Sequence, residues 1–122
     1  MLNEECKIGD YPKIARNNSN LILCIYVANY LGRPGYFKVV YKLTTRETLP
    51  TNTTPSPESN LREWRLVLGD NENKTFLVSI PVYTLRGETR VTLVFELWLY
   101  DNPSKEWIYT GRWVHLYINI TV

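Results

Sequence analysis

The chain has 122 residues, 44% apolar and 13% aromatic, with a formal net charge of +2. That suffices for one domain with a real core and excludes a disordered chain, which has low hydrophobicity and few aromatics. The 14 Lys and Arg are scattered without a basic run, so nucleic acid is not an expected partner, and the longest apolar run, residues 21–28, falls far short of the roughly twenty residues a spanning helix needs.

The opening "MLNEECKIGD" lacks the apolar core of a signal peptide. Two origins fit: an intracellular protein, or an excised piece whose targeting segment was left out. A short strand is expected over residues 7–11. Cys6 and Cys24 are the only cysteines and lie eighteen positions apart. An even count in an exported β domain permits a Cys6–Cys24 disulfide, which would staple the N-terminal segment to the first long strand. A free Cys24 packing as a small hydrophobe is the other reading. Two cysteines with no local His do not complete a four-ligand metal site.

Residues 21–29 read as a central strand covered on both faces, because Leu21, Leu23, Ile25 and Val27 alternate with Ile22, Cys24, Tyr26 and Ala28. Asn29, Gly32, Pro34 and Gly35 form a turn that carries no acid, base or metal ligand, so it reads as a structural hairpin. The strand at 36–44 follows, with Phe37, Val39, Tyr41 and Leu43 on one side and Tyr36, Lys38, Val40 and Lys42 on the other. Residues 44–60, "TTRETLPTNTTPSPESN", read as a long exposed loop: Pro50, Pro55 and Pro57 block regular pairing, and disorder is the expectation.

Strands are then expected at 63–68, 75–82, 90–100, 107–109 and 112–122. "GDNENK" and "DNPSKE" read as hairpin loops, "RGE" as a turn, and Thr110-Gly111 as a kink. About seven strands with no helix argue for one domain over residues 1–122. Its expected form is an all-β, two-sheet antiparallel β-sandwich of immunoglobulin-like size, although the antibody Cys–Trp–Cys pattern is absent.

Four Asn-x-Ser/Thr sequons occur, at Asn17, Asn52, Asn73 and Asn119. They favour an exported, N-glycosylated protein. The alternative is that turns are simply rich in Asn, Ser and Thr. Asn17, Asn52 and Asn73 fall in expected loops and Asn119 in an expected strand.

Catalytic chemistry is hard to assemble. His115 is the only histidine, no Ser sits in a nucleophile elbow, and no Gly-rich phosphate loop opens a helix. The acid pairs Glu4-Glu5, Asp70-Glu72 and Asp101-Glu106 sit in a terminus and in turns, which are solvated positions and not the enclosed ones that acid–base catalysis uses. The expectation is a non-enzyme with no cofactor and no metal. The suggestive set is aromatic: Trp98, Tyr100, Trp107, Tyr109, Trp113 and Tyr117 lie on the last strands. Such a row can stack on sugar rings or anchor a protein partner. It can equally be a set of cross-strand pairs that stabilise a sheet.

Two stretches carry a family likeness. "GDYPKIARNNSNLILCIYVANYLGRPGYFKVVYKL" and "VTLVFELWLYDNPSKEWIYTGRWVHLYINIT" together resemble the extracytoplasmic C-terminal domain of an archaeal membrane-protein family, domain of unknown function sixteen-sixteen. Tyr11-Pro12 and the Asn29-to-Gly32 turn carry the match, with Tyr30-Leu31 where the family has His-Glu. The resemblance implies a β-sandwich outside the cell, tethered by membrane helices not in this chain. It supplies no catalytic residue and no ligand. The expected function is therefore a non-enzymatic, membrane-anchored surface domain that mediates protein contacts. A carbohydrate-binding module using the aromatic row is the alternative, and an intracellular or viral structural sandwich the next.

Overall fold

Period-two alternation produces seven strands among the described residues: β1 (Ile14–Arg16), β2 (Ser19–Ala28), β3 (Gly35–Thr44), β4 (Arg62–Leu68), β5 (Asn73–Val82), β6 (Arg90–Asp101) and β7 (Glu106–Thr121). A single 3-10 turn at Arg46–Thr48 is the only helical element among the described residues of this computed structural model, which are 1–2, 5–9 and 11–121. The strands form two sheets, one ordered β1-β7-β6-β3-β4 and one of β2 and β5. All pairings are antiparallel except β1 with β7, which is parallel.

One cluster of buried side chains joins both sheets. Leu23, Ile25 and Val27 of β2 and Val78, Ile80 and Val82 of β5 pack with Tyr41, Leu93, Phe95 and Ile118 of the larger sheet. Aromatic pairs brace it, with Tyr41 and Phe95 5.2 Å apart and Trp64 6.3 Å from Phe95. Tyr41 also donates its hydroxyl to the Pro81 carbonyl (2.8 Å), tying the larger sheet to β5.

Several expectations change. β2 is not covered on both faces: among the described residues it pairs with β5 and with a bridge at Leu2, and Ile22 and Tyr26 are 51% and 46% exposed. Its all-apolar pattern mimicked a central strand. The 29–35 turn is not a hairpin, because β2 and β3 lie in different sheets. It is a corner held by the buried Asn29. The Asn29 amide donates to the carbonyls of Arg33, Leu68 and Gly69 (2.9–3.1 Å), and its Oδ1 accepts the Leu31 N–H. "GDNENK" likewise joins two sheets, so Asn73 opens β5 and does not sit in a loop. The N-terminal strand lies at Ile14–Arg16 and not at residues 7–11, of which Asp10 is outside the described residues, as are Glu4 and Val122.

The two strands expected on either side of the Thr110-Gly111 kink are one strand, β7, which runs through it. The β6–β7 register shifts between Glu96 and Trp98, and the extra residues of β7 are taken up there as a bulge. Gly111 supplies the positive φ of +78°, and a Cβ at this position would collide with the Asn52 backbone. Gly111→Ala should therefore destabilise the domain by roughly 1–3 kcal/mol, read as a lower denaturant midpoint at unchanged slope.

The 44–60 segment is a loop with residues 51–54 exposed, and it is anchored to the larger sheet at several points. Thr44, Thr45 and Ser56 are buried, as is Pro50. Ser56 Oγ donates to the Thr48 carbonyl (2.6 Å), and Tyr109 donates its hydroxyl to the Thr51 carbonyl (2.6 Å). Arg86 grips both Glu58 oxygens (3.2 and 2.5 Å) and holds that carboxyl below the usual carboxylate range. Proline-rich composition excluded a strand here but did not exclude a packed strap.

Candidate functional site

The larger sheet turns Phe37, Val39, Tyr41 and Leu43 into the core, so alternation sends Tyr36, Lys38, Val40 and Lys42 to its outer face. Register then decides which neighbours they meet. Lys38 lies opposite Arg65 on one side and Trp98 on the other, and Trp98 lies opposite Tyr109. The next row brings Tyr100 against Trp107. Four of the six aromatics singled out from sequence therefore converge: the rings of Trp98 and Tyr109 are 5.4 Å apart, and those of Tyr100 and Trp107 are 5.3 Å apart.

Tyr36 completes the group, 4.9 Å from Trp107 and 5.9 Å from Tyr100. Two cations lie on the rings. Lys38 Nζ is 4.7 Å from the Trp107 centroid and 5.4 Å from that of Trp98, and the Arg65 guanidinium is 5.4 Å from Trp107. Glu63 faces Lys38 at 3.8 Å and Arg65 at 3.0 Å. Partial burial lowers the Lys38 pKa; Glu63 opposes this shift, while Arg65 and Lys42 add to it. The rings are tilted by 51–77° to one another, so the face offers ring edges and cations and not one flat platform.

Beneath the strap lies a buried ion pair. Lys42 Nζ contacts Glu96 Oε1 at 2.8 Å, and both side chains are almost fully buried. Lys42 also donates to the Ser56 carbonyl (2.7 Å), the Ser56 N–H donates to Glu96 Oε2 (2.7 Å), and Trp98 Nε1 donates to Glu96 Oε1 (3.3 Å). The network therefore orients Trp98 while holding the strap. Burial, with a smaller contribution from Glu96, raises the Tyr109 hydroxyl pKa, so it stays a donor to Thr51.

Trp113 and Tyr117 form a separate column with His115 between them, at 5.2 and 5.0 Å. Tyr117 is 58% exposed. The structure thus divides the expected row in two. Of the other expected positions, Cys6 and Cys24 are joined in a disulfide with Cα atoms 5.1 Å apart. Asn52, Asn73 and Asn119 are exposed, whereas Asn17 is half-buried with its Oδ1 accepting the Thr84 N–H (3.0 Å). Glu72 and Asp101, from the acid pairs, cap their own turns at Gly69 and Ser104.

Sequence reasoning missed Tyr36, Lys38, Glu63, Arg65 and the Lys42–Glu96 pair. A signal was present: Lys42 in "VVYKL" and Glu96 in "VFELW" are single charges inside apolar strands. Such residues are rarely buried unless paired.

Among the described residues, no group of three or more His, Cys, Asp or Glu is placed to hold a metal, and no helix is long and apolar enough to cross a membrane. No family model, curated protein or solved structure matches the chain.

Proposed function

We propose that this chain is a non-catalytic binding domain with an immunoglobulin-like β-sandwich architecture. It works outside the cytoplasm as part of an archaeal membrane-anchored protein, and it contacts a partner protein through the cationic aromatic face of the larger sheet. The observation that carries the binding reading is the seating of Lys38 and Arg65 on Trp107, beside Tyr36, Trp98 and Tyr100. Trp, Tyr and Arg are the residue types that dominate protein-binding energetics, and here Tyr36, Tyr100 and Trp107 are half-buried against one another, as is Trp98 against Tyr109, while Arg65 is exposed. The sandwich reading is supported by the single core cluster shared between two sheets. Export is supported by the disulfide and by the exposure of Asn52, Asn73 and Asn119.

Two cations against one carboxylate favour an acidic partner surface. The test is an array of acidic, aromatic-containing peptides run beside a glycan array. Peptide binding should weaken with salt, and Trp107→Ala should lower affinity by about 2 kcal/mol, roughly thirtyfold, without loss of fold. Binding to glycans alone, lost on Trp107→Ala and Trp113→Ala, would instead establish the carbohydrate reading. Mass spectrometry of native protein reads export: free thiols at Cys6 and Cys24 with unmodified Asn52 and Asn73 would argue for an intracellular protein.

A further inference from the structure

The two sheets are unequal, and Leu97 and Leu99 of the larger one are only partly buried. A cleft of about 600 Å³ opens beside them, lined by Met1, residues 25–28 of β2 and residues 112–114 of β7. Phe37, Val39, Phe95, Leu97 and Leu99 also line it. Its walls are therefore mainly apolar, in the volume range of ligand sites.

The β2 wall is also a backbone edge. β2 and β5 pair without a bulge from Ser19↔Val82 to Ala28↔Asn73. Cys24 exchanges its N–H and C=O with Leu2 (3.1 and 2.7 Å), so it points away from β5. In an antiparallel ladder that direction recurs every second residue. Tyr26 and Ala28 therefore present their N–H and C=O to the same side as Cys24, and Asn29, in the opposite phase, bonds to Glu72 across the ladder. Among the described residues, Tyr26 and Ala28 have no backbone partner on that side.

We propose that this cleft accepts an extended strand of a partner protein. It runs antiparallel to β2 in line with Leu2, with every second apolar side chain in the cleft. The isolated Leu2–Cys24 bridge places one backbone partner on this edge in the antiparallel sense. A lipid chain would fill the apolar volume but leave the Tyr26 and Ala28 backbone groups unpaired. Of a second copy's edge strands, β4 carries Arg62, Glu63 and Arg65 and β5 begins Asn73-Lys74, so both fit an apolar cleft poorly. Strand addition satisfies both the edge and the volume.

The test is titration of the full chain with a synthetic peptide of alternating Thr and Val, capped by Lys at both ends, followed by amide hydrogen exchange. Expected are saturable binding and slowed exchange at Tyr26 and Ala28. Ala28→Pro removes one edge N–H and no β2–β5 bond, and it should weaken binding at least tenfold. If that variant misfolds, Val114→Lys, at a 38% exposed position lining the cleft, should give the same loss. In a second arm, a six-residue Thr/Val extension ahead of Met1 should slow the same two amides in cis, where effective concentration is high. The proposal is overturned by failure of both arms, by binding that leaves the two amides exchanging at their free rate, by dodecanoate binding without peptide binding, or by self-association without peptide.

Discussion

Glu96→Ala should be among the most damaging single substitutions in this domain, lowering stability by about 3–5 kcal/mol. The physical reason is asymmetry. Glu96 is fully buried and Lys42 nearly so, and each has lost its water. In place of water, the carboxylate receives the Lys42 ammonium, the Ser56 N–H and the Trp98 indole N–H. Removing the acid strands a buried ammonium and leaves the Ser56 and Trp98 donors unpaired, and the desolvation penalty of each stays in full. A domain of this kind has roughly 5–15 kcal/mol in total, so the variant should be partly unfolded at moderate temperature.

Replacing both partners separates stability from specification. Lys42→Met with Glu96→Leu removes both charges together and should recover most of the loss, since apolar pairs commonly equal buried ion pairs. It should not restore the strap. Ser56 bonds to Glu96 through its N–H and to Lys42 through its carbonyl. The double variant should therefore fold with a Ser56 amide that exchanges much faster than in the parent. Trp98, released from Glu96, should show altered indole fluorescence. A single variant costing less than about 1 kcal/mol would mean the pair is not buried in solution.

Strand existence was legible because alternation is local. Phe37, Val39, Tyr41 and Leu43 announce a buried face whatever lies beside them. Sheet membership was not legible. β2 carries apolar residues on both faces, which usually marks a central strand, yet among the described residues it lies beside β5 and the Leu2 bridge alone. Its outer face is instead partly covered by the Cys6–Cys24 crossing and partly exposed at Ile22 and Tyr26. The aromatic site was half legible for the same reason. Trp98 with Tyr109 and Tyr100 with Trp107 follow from one hairpin. The approach of Tyr36, Lys38 and Arg65 depends on β3 lying between β6 and β4, an order that alternation does not encode. The strap was misread because Pro and Thr describe what a segment cannot pair with, while Ser56 reaches its partners forty and fourteen residues away.

Loss of the Cys6–Cys24 disulfide should cost about 3 kcal/mol, the loop-closure expectation for a span of this length. Cys6→Ser is the suitable variant, because Cys6 is exposed while Cys24 is fully buried and packs well as a free thiol. For a domain of this size the loss corresponds to a fall in Tm of roughly 10 °C. Dithiothreitol should lower the parent's Tm by a similar amount and leave Cys6→Ser unmoved. The effect should be local as well as global. The disulfide and the Leu2 bridge both meet β2 at Cys24, and together they hold Cys6 and Leu2 against the edge beside the cleft. Cys6→Ser should therefore speed exchange at the Cys24 amide, whose acceptor is the Leu2 carbonyl, more than at Leu23 or Ile25, which are paired within the β2–β5 ladder. Equal acceleration at all three would mean that the crosslink acts only through the unfolded chain and does not position this edge.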